Sequence, residues 1–417
     1  MKKQLWIGLS MMLLAALVLG ACGTPATEAP VAPPPAATEA PVVTEAPPVM
    51  EPVELTIWHS YHTGGSEEAA VSQIVAQYMT DHPNVTVNVQ NIPFDQIFNK
   101  WQTDVASGGA AADMFTAPND SLGDWVRAGT VAPLDDLLAG KLDGYSAAGV
   151  AGVTVDGKIY AVPGIIKAVA IYYNKDTVAT PPATTDELLA ALQGGTKFGM
   201  VALGGGAPYF SAGWFPAFGG KLMDDTGKCV ADQGGYAEAM QYLLDLKAAG
   251  ASFESDGSKI ASAFKDGSLD IIVDGPWMLG DYKTALGDKL GVAPMPTGPA
   301  GPSMPFAGID GWYLNPNGTN MEAAVELGLY IFGADGLAVY ADVAGDPPAR
   351  TDVTTSDPLI KLFADAAAGG FPRPQSKEFS NYWGPFGDMF TAVLEGKVLP
   401  AEGVATACAA MNKANNK

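Results

Sequence analysis

The first part of the chain alternates between hydrophobic patterns typical of strands and of helices. Strand segments combine β-branched and aromatic residues or alternate valines with polar residues, and helical segments carry apolar residues at a spacing of three to four. Ser66 is the expected N-cap of the first helix, and Pro83 is expected to end it. The predicted order is strand, helix, strand, helix, strand, over residues 53–60, 66–79, 84–90, 94–105 and 112–117. This alternation predicts a parallel sheet with helices on both sides.

Two loops follow strands of this predicted sheet. In an open parallel sheet, ligands bind beyond the carboxyl ends of the strands, where these loops converge. The rule selects residues 59–63 and 117–120. These loops contain His59, Ser60, His62 and Asp120.

The second part of the chain repeats the α/β character, which is expected if the protein has two lobes. An apolar run over 269–273 ends on Gly275-Pro276 and is followed at once by Trp277. Since a Gly-Pro pair breaks regular structure, the tryptophan is predicted at a turn after a strand. A large aromatic residue there serves either as a lid on the core or as a binding platform. Beyond Trp312 helical patterns dominate, with a breaker-rich segment over 345–358.

The N-terminal segment predicts export. Lys2 and Lys3 precede an apolar stretch over 5–19 that closes on Leu-Gly-Ala-Cys. This pattern resembles a bacterial lipoprotein signal, which implies removal of residues 1–21 and lipidation of Cys22. An ordinary signal peptide or a membrane anchor is the alternative. Residues 22–52 are rich in Pro, Ala and Thr, as expected for an extended tether.

Charge and cysteine usage narrow the partners. The formal net charge of −22 disfavours nucleic acid and anionic lipid, and permits neutral or cationic ligands. Residues 53–417 exceed what one core usually serves, so two lobes are expected. Cys229 and Cys408 form an even pair in an exported chain; a disulfide between them is possible, but the sequence leaves their pairing open.

Several segments occur in an order that is typical of one family. They are YNKD (173–176), the apolar strand with GPW (275–277), PMPTG (294–298) and PFAGIDGWYLN (305–315). From Glu54 onward the chain resembles the maltose/maltodextrin-binding class of ABC-importer solute-binding proteins. The resemblance implies an α/β fold of the two-lobed type II periplasmic-binding-protein kind, with two doubly wound sheets joined by a hinge of several crossings. Lobe one would comprise residues 53–164 and 312–355, and lobe two residues 165–311 and 356–417.

The resemblance also implies roles for individual residues. A sugar ring needs flat aromatic groups for its C–H face and polar groups for its hydroxyls. Trp277, Tyr209 and Trp383 match the stacking positions, and Asp120 matches an aspartate that holds hydroxyls. Without the resemblance, Trp277 could equally be a lid on the core. On the same basis, Trp383 and most of the aromatic cluster around Tyr209 are expected to pack in the core. Trp58 and Trp101 are expected in the core because they lie on apolar faces.

The sequence departs from the family pattern at ligand-facing positions. His62-Thr63 replaces an Asp-Lys pair, Ala117 replaces a tryptophan, and Lys167 replaces a glutamate. We expect His59, Ser60 and His62 to supply polar contacts instead, with Lys167 and Asp310 also in the cleft.

The predicted function is that of a monomeric, lipid-anchored receptor on the outer face of the cell membrane. It would bind a neutral oligosaccharide, with a maltodextrin as the best candidate, and deliver it to the permease subunits of an ABC importer. No cofactor, metal or enzymatic activity is expected. For a metal, His59 and His62 lack a third ligand in register. A glycoside hydrolase using Asp120, Asp274 or Asp310 is one alternative. A polyamine-binding protein is the other, although Lys167 argues against it.

Overall fold

The computed structural model describes residues 51–108 and 111–417. The predicted signal peptide, the lipidation site Cys22 and the tether up to residue 50 lie outside the described residues. The strands of the described residues are β1 (Val53–His59), β2 (Val85–Asn91), β3 (Met114–Pro118), β4 (Thr154–Val155), β5 (Lys158–Ile159), β6 (Ala161–Lys167), β7 (Ala170–Asn174), β8 (Phe198–Val201), β9 (Ser252–Glu254), β10 (Ile271–Asp274), β11 (Leu290–Ala293), β12 (Phe306–Leu314) and β13 (Phe371–Pro372).

The α-helices surround these strands. They are α1 (Ser66–Asp81), α2 (Phe94–Ala106), α3 (Leu122–Ala128), α4 (Asp135–Leu138), α5 (Ala147–Gly152), α6 (Thr185–Gln193), α7 (Ala207–Phe210), α8 (Trp214–Ala217), α9 (Tyr236–Ala248), α10 (Gly257–Lys265), α11 (Leu279–Leu286), α12 (Met321–Ile331), α13 (Ala334–Val339), α14 (Pro358–Ala368), α15 (Lys377–Ser380), α16 (Trp383–Leu394) and α17 (Pro400–Ala414). In the part of the chain that the structure describes, no single helix is long and apolar enough to cross a membrane, although α12 and the helical segment 334–344, bent by 42° between them, pass that test as a pair.

Two mixed sheets organise the fold. The first has the strand order β13-β12-β3-β1-β2, with β6 paired to β12, and the second has the order β11-β7-β10-β8-β9. The central pairs β1–β2, β1–β3 and β8–β10 are parallel, as the alternating pattern predicts. In contrast, β12 is antiparallel to β3, and β7 is antiparallel to β10. The chain crosses between the sheets from β6 to β7 and from β11 to β12. The prediction of purely parallel sheets is wrong for these antiparallel strands.

Each sheet lies in its own lobe, and the chain crosses between the lobes more than once. The first lobe is built from β1–β6, β12 and β13 with α1–α5, α12 and α13, and the second from the remaining strands and helices. The predicted lobe boundaries stay a prediction. In the first sheet, β6 continues past residue 164 to Lys167, and β12 begins before residue 312, at Phe306.

The core predictions for two tryptophans are confirmed. Trp58 and Trp101 are both buried, and their ring centroids lie 5.9 Å apart in an edge-to-face arrangement. The indole N–H of Trp101 donates to the carbonyl of Thr130 at 2.9 Å, which satisfies its one polar group inside the core.

The predicted cap of the first helix is wrong. Ser66 is the first residue of α1 rather than its N-cap, a position that Gly65 occupies without a side-chain bond. The backbone N–H of Ser66 instead donates to Oδ1 of Asp281 at 3.1 Å. Asp281 lies on α11 of the second lobe, so a carboxylate from the opposite lobe satisfies this helix terminus. A local sequence rule cannot detect a cap supplied from more than two hundred residues away.

The structure joins Cys229 and Cys408 by a disulfide, with Cα atoms 5.5 Å apart. The bond ties the segment before α9 to α17 within the second lobe. Asn412 on the same helix accepts from the backbone N–H of Cys229 at 2.7 Å, which fixes the same junction. The pairing that the sequence left open is therefore formed in the structure.

Candidate ligand-binding cleft

A cavity of about 1160 Å³ lies between the two lobes. Its walls include the loops that follow β1 and β3 in the first lobe, and those that follow β8 and β10 in the second. This is the position that the rule for open sheets selects. Pockets for small ligands usually measure about 300–1,000 Å³, so the cleft has room for a ligand at or above the top of that range.

The turn that presents Trp277 to the cleft depends on a glycine. The strand β10 ends at Asp274, and the residues from Pro276 onward form a short 3₁₀ turn. A Cβ atom on Gly275 would lie 2.1 Å from Cζ3 of Trp277, so only glycine lets the indole ring fold back over this backbone. The hydroxyl of the buried Tyr172 donates to the carbonyl of Gly275 at 2.8 Å, which stabilises the turn. The Gly-Pro pair therefore positions a partly exposed tryptophan at the cleft surface.

Three predicted aromatic residues line the second-lobe side of the cleft, and we call Tyr209, Trp277 and Trp383 the aromatic wall. The ring centroids of Tyr209 and Trp277 lie 6.1 Å apart, with their planes inclined by 38°. Trp383 is the first residue of α16, and its ring packs edge-on against Phe306 at 5.9 Å. All three rings are partly buried against the second-lobe core, so each presents one surface to the cleft.

Asp120 lines the first-lobe side, where its carboxylate contacts the guanidinium of Arg373. The guanidinium also lies over the ring of Tyr209, with Cζ 4.9 Å from the centroid. Burial lowers the pKa of Arg373 to about 9, which still leaves the group charged at neutral pH. Arg373 thus joins the two sides of the cleft, and sequence reasoning missed it. Its only sequence signal is an arginine between two prolines.

Lys167 lies at the base of the cleft inside a buried ionic cluster. Its Nζ atom lies 2.5 Å from Oε1 of Glu67, 3.0 Å from Oδ1 of Asp346 and 3.5 Å from Oδ2 of Asp310. Nζ also lies 5.8 Å from the ring centroid of Trp277. We call the residues Lys167, Glu67, Asp310 and Asp346 the lysine cluster. One ammonium thus lies among three carboxylates of the protein, and Lys167 also lines the cleft.

Burial and neighbouring charges shift the pKa values of Lys167, Glu67 and Asp310. Burial alone would lower the pKa of Lys167, but the three carboxylates outweigh burial and raise it well above its ordinary value. Burial raises the pKa of Glu67 well above its ordinary value, and it raises the pKa of Asp310 to about 6 against the attraction of the ammonium. Burial therefore opposes the ionised forms of Glu67 and Asp310, while the ammonium of Lys167 favours them.

Asp274, the third carboxylate considered for catalysis, supports the turn beneath Trp277. The hydroxyl of Tyr282 donates to its Oδ2 atom at 2.6 Å, and the backbone N–H of Gly275 donates to its Oδ1 atom at 2.8 Å. Burial raises the pKa of Asp274 to about 6 despite these bonds. Both of its oxygens are therefore engaged by the protein.

Of the three residues predicted from the first loop, two line the cleft and one does not. Ser60 and His62 contribute to its wall. His59 is buried, accepts a hydrogen bond at Nδ1 from the backbone N–H of Tyr61 at 3.3 Å, and lines a smaller pocket of about 360 Å³ beside the cleft. Burial lowers the pKa of His59, so the ring is neutral at pH 7. His59 therefore does not line the cleft, and its ring stacks on that of Tyr61 with centroids 5.1 Å apart.

Several buried polar atoms on cleft residues find no hydrogen-bond partner among the described residues. They include Ser66 Oγ, Thr116 Oγ1, Tyr209 O–H, Asp310 Oδ1 and Arg373 Nε. A buried polar group without a hydrogen bond costs free energy, which a ligand of matching chemistry recovers. Hydroxyl groups and a carboxylate together suit a partner that both donates and accepts hydrogen bonds.

Comparison with known proteins agrees with this geometry. The sequence model of the bacterial extracellular solute-binding protein family matches residues 73–368, which is more than half of the chain. The chain belongs to this family. The resemblance predicted from the sequence is confirmed at that level, and the family is one of solute-binding proteins rather than of enzymes.

Individual relatives resemble this solute-binding protein over most of its length. The maltotriose-binding protein of Pyrococcus abyssi is 25% identical over 79% of this chain and 75% of its own. A maltooligosaccharide ABC transporter solute-binding lipoprotein of Streptococcus pneumoniae is 25% identical over 69% of this chain and 73% of its own. The maltotriose-binding protein of Thermus thermophilus, solved with maltotriose, is 29% identical and covers 86% of this chain and 99% of its own, with a TM-score of 0.79. The predicted two-lobed fold is confirmed by this structural likeness.

Proposed function

We propose that this solute-binding protein binds a neutral oligosaccharide of the maltodextrin type in its cleft and delivers it to the permease of an ABC importer. The observation that carries the proposal is the aromatic wall facing unpartnered polar atoms across one cavity. A sugar has an apolar C–H face and a rim of hydroxyls, so it matches both sides at once. Names of the relatives support the ligand class, since they describe maltotriose and maltooligosaccharide binding.

The proposal assigns roles to the predicted residues. Trp277, Tyr209 and Trp383 stack on sugar rings, and Asp120, Asp310, Ser60 and His62 bind hydroxyls directly. Arg373 orients Asp120 and extends the platform of Tyr209 through its contacts with both. Lys167 holds Asp310 in place from within the lysine cluster, and His59 supports the first loop.

Anchoring and assembly complete the proposal. The lipoprotein name of the Streptococcus pneumoniae relative supports lipidation at Cys22 and attachment to the outer face of the cell membrane. A monomer suffices for binding, because both walls of the cleft come from one chain. Rotation of the lobes about the crossings encloses the ligand and forms the surface that the permease recognises.

The two rival functions fit the cleft less well. A hydrolase needs a free acid and base, whereas Asp120 contacts Arg373 and Asp274 is bonded through both oxygens. A polyamine needs unpaired carboxylates beside aromatic rings, whereas the groups beside the rings are the ammonium of Lys167 near Trp277 and the guanidinium of Arg373 over Tyr209. A neutral ligand avoids either conflict.

Calorimetric titration of the purified protein tests the proposal. The panel comprises maltose, maltotriose, maltotetraose, cello- and xylo-oligosaccharides and spermidine, with the ligand recovered and analysed afterwards. We expect one-to-one binding of maltodextrins, no binding of spermidine and recovery of the intact sugar. Binding of spermidine alone, or recovery of a cleaved sugar, would overturn the proposal.

A further inference from the structure

A half-exposed phenylalanine lies on the first-lobe side of the cleft. Phe94 is the first residue of α2 and is 50% exposed, among very few large apolar side chains of the described residues that are so open to solvent. Its side chain lines the same cavity as the aromatic wall. An exposed aromatic ring inside a cleft has no role in the core, and its apolar surface is available to a ligand.

Contacts with the lobe interior hold the Phe94 ring from behind. Phe98, one helical turn further along α2, meets Phe94 edge to face with centroids 5.0 Å apart. The ring of Phe98 in turn stacks on Trp125 at 5.6 Å, with planes inclined by 22°. Trp125 is fully buried. The exposed ring is thus backed by a row of aromatic residues that ends in the core, so a ligand can stack on it without ordering a mobile side chain.

The surroundings of Phe94 place it at the rim of the cleft. The unpartnered atoms of Thr116, Tyr209 and Asp310 are buried, and they mark the floor of the cavity. The much greater exposure of Phe94 puts it nearer to the mouth. A ligand that fills only the floor leaves the Phe94 ring uncovered, and a longer ligand reaches it.

We infer that Phe94, backed by Phe98, forms an outer stacking subsite that takes an additional sugar unit of a longer oligosaccharide. This inference rests on the proposed function and adds a determinant of chain-length preference. The ring covers the apolar face of the outer unit, while the aromatic wall holds the inner units. Affinity is therefore higher for ligands that are long enough to place a sugar unit on Phe94 than for shorter ones.

Titrations of Phe94→Ala with maltose, maltotriose, maltotetraose and maltohexaose test the inference. We expect the variant to keep its affinity for maltose within about twofold and to lose about tenfold for the longer ligands that reach the ring, the range of one aromatic contact. Phe94→Trp keeps a flat ring and retains the length preference. Leu399→Ala removes a side chain that is 73% exposed and lies outside the cleft lining, and it leaves every affinity unchanged.

The outcomes separate the subsite from the proposed function. Equal losses for maltose and for the longer sugars, or no loss for any of them, would overturn the subsite while leaving oligosaccharide binding intact. Failure of the unmodified protein to bind any of these sugars would instead overturn the proposed function, and the subsite with it.

Discussion

The two sides of the cleft are built from different kinds of interaction. The second-lobe side presents the aromatic wall, whose rings rest on a continuous apolar core. The first-lobe side presents hydroxyl and carboxylate groups above the lysine cluster, where charges are buried against one another. The second-lobe side is mainly apolar surface. Apart from Phe94 at its rim, the first-lobe side mainly offers polar groups that can orient a ligand, at the cost of buried charge.

Under the proposed function, this contrast divides recognition between the lobes. Stacking on the aromatic wall would supply affinity for any sugar that presents a flat C–H face. Hydrogen bonds from the first-lobe side would select the arrangement of hydroxyls, because a mismatched hydroxyl leaves buried groups unpaired. Stability should therefore respond most to changes on the charged side, and affinity most to changes on the aromatic side.

Removing the buried cation should have the largest effect, and it should act on stability. In Lys167→Met three buried carboxylates lose their partner, and we expect the free energy of unfolding to fall by about 3–5 kcal/mol. Burial raises the pKa values of Glu67 and Asp310, so in the folded variant these two acids take up protons at low pH, and the loss of stability is larger at pH 8 than at pH 5. Urea denaturation at the two pH values measures both effects.

A surface ion pair provides the control for this prediction. Lys289 lies 2.5 Å from Asp176, and both side chains are more than half exposed. Lys289→Met should change the unfolding free energy by less than about 1 kcal/mol at either pH. Equal effects of the two lysine substitutions would contradict the view that the lysine cluster is a buried structural unit.

Removing the central ring of the aromatic wall should have the next largest effect, and it should act on affinity. We expect Trp277→Ala to weaken maltotriose binding by about 2–4 kcal/mol, or roughly 30- to 1,000-fold, the range of a central aromatic contact. Trp277→Phe keeps a flat ring and should lose about tenfold or less. Calorimetry at one pH gives both values.

The unfolding free energy of the Trp277 variants serves as the control measurement. Because the ring is only partly buried, stability should fall less than it does in Lys167→Met. Unchanged affinity in Trp277→Ala would identify this tryptophan as a lid on the core, the alternative that the sequence alone left open.

The smallest predicted effect is a dependence of affinity on pH that comes from the charged side. The pKa of Asp310 is about 6, and its Oδ1 atom has no partner among the described residues. A sugar hydroxyl that donates to this atom favours the ionised carboxylate, so binding releases a proton near pH 6. The dissociation constant for maltotriose should therefore fall a few-fold between pH 5 and pH 7. Calorimetry in two buffers of different ionisation enthalpy measures the proton release.

Asp274 has a similar pKa but should not contribute, because both of its oxygens already accept hydrogen bonds from the protein. Asp310→Asn should consequently remove the pH dependence, provided that its circular dichroism spectrum shows a folded protein. A persistent pH dependence in this variant would assign the proton to another group.

The sequence predicted those parts of the fold and site that depend on local patterns. The order of strands and helices followed from hydrophobic periodicity, and the turn before Trp277 followed from the Gly-Pro pair that the ring packs against. The features it missed depend on contacts between distant segments. Asp281 caps α1 from the other lobe, and Arg373 meets Asp120 across the cleft. No periodicity or spacing rule encodes such pairs, because they form only when the lobes are assembled.

His59 and Phe94 show that sequence patterns do not predict whether a given side chain faces the cleft. A polar residue after a strand was expected to face the ligand, but its ring is buried within its own lobe. The pattern over 94–105 predicts a helix, but it does not show that the ring of Phe94 at its start opens into the cleft. In each case the position within the folded lobe, and not the residue type, determines exposure.

The most direct test of the account is a crystal structure of the protein with maltotriose. The account predicts a sugar ring stacked on Trp277 within the cleft, with hydroxyls of the ligand bonded to Asp310 and to the hydroxyl of Tyr209. A ligand bound outside the cleft, or one within it that leaves Trp277 uncovered, would contradict the division between an aromatic side and a directing side.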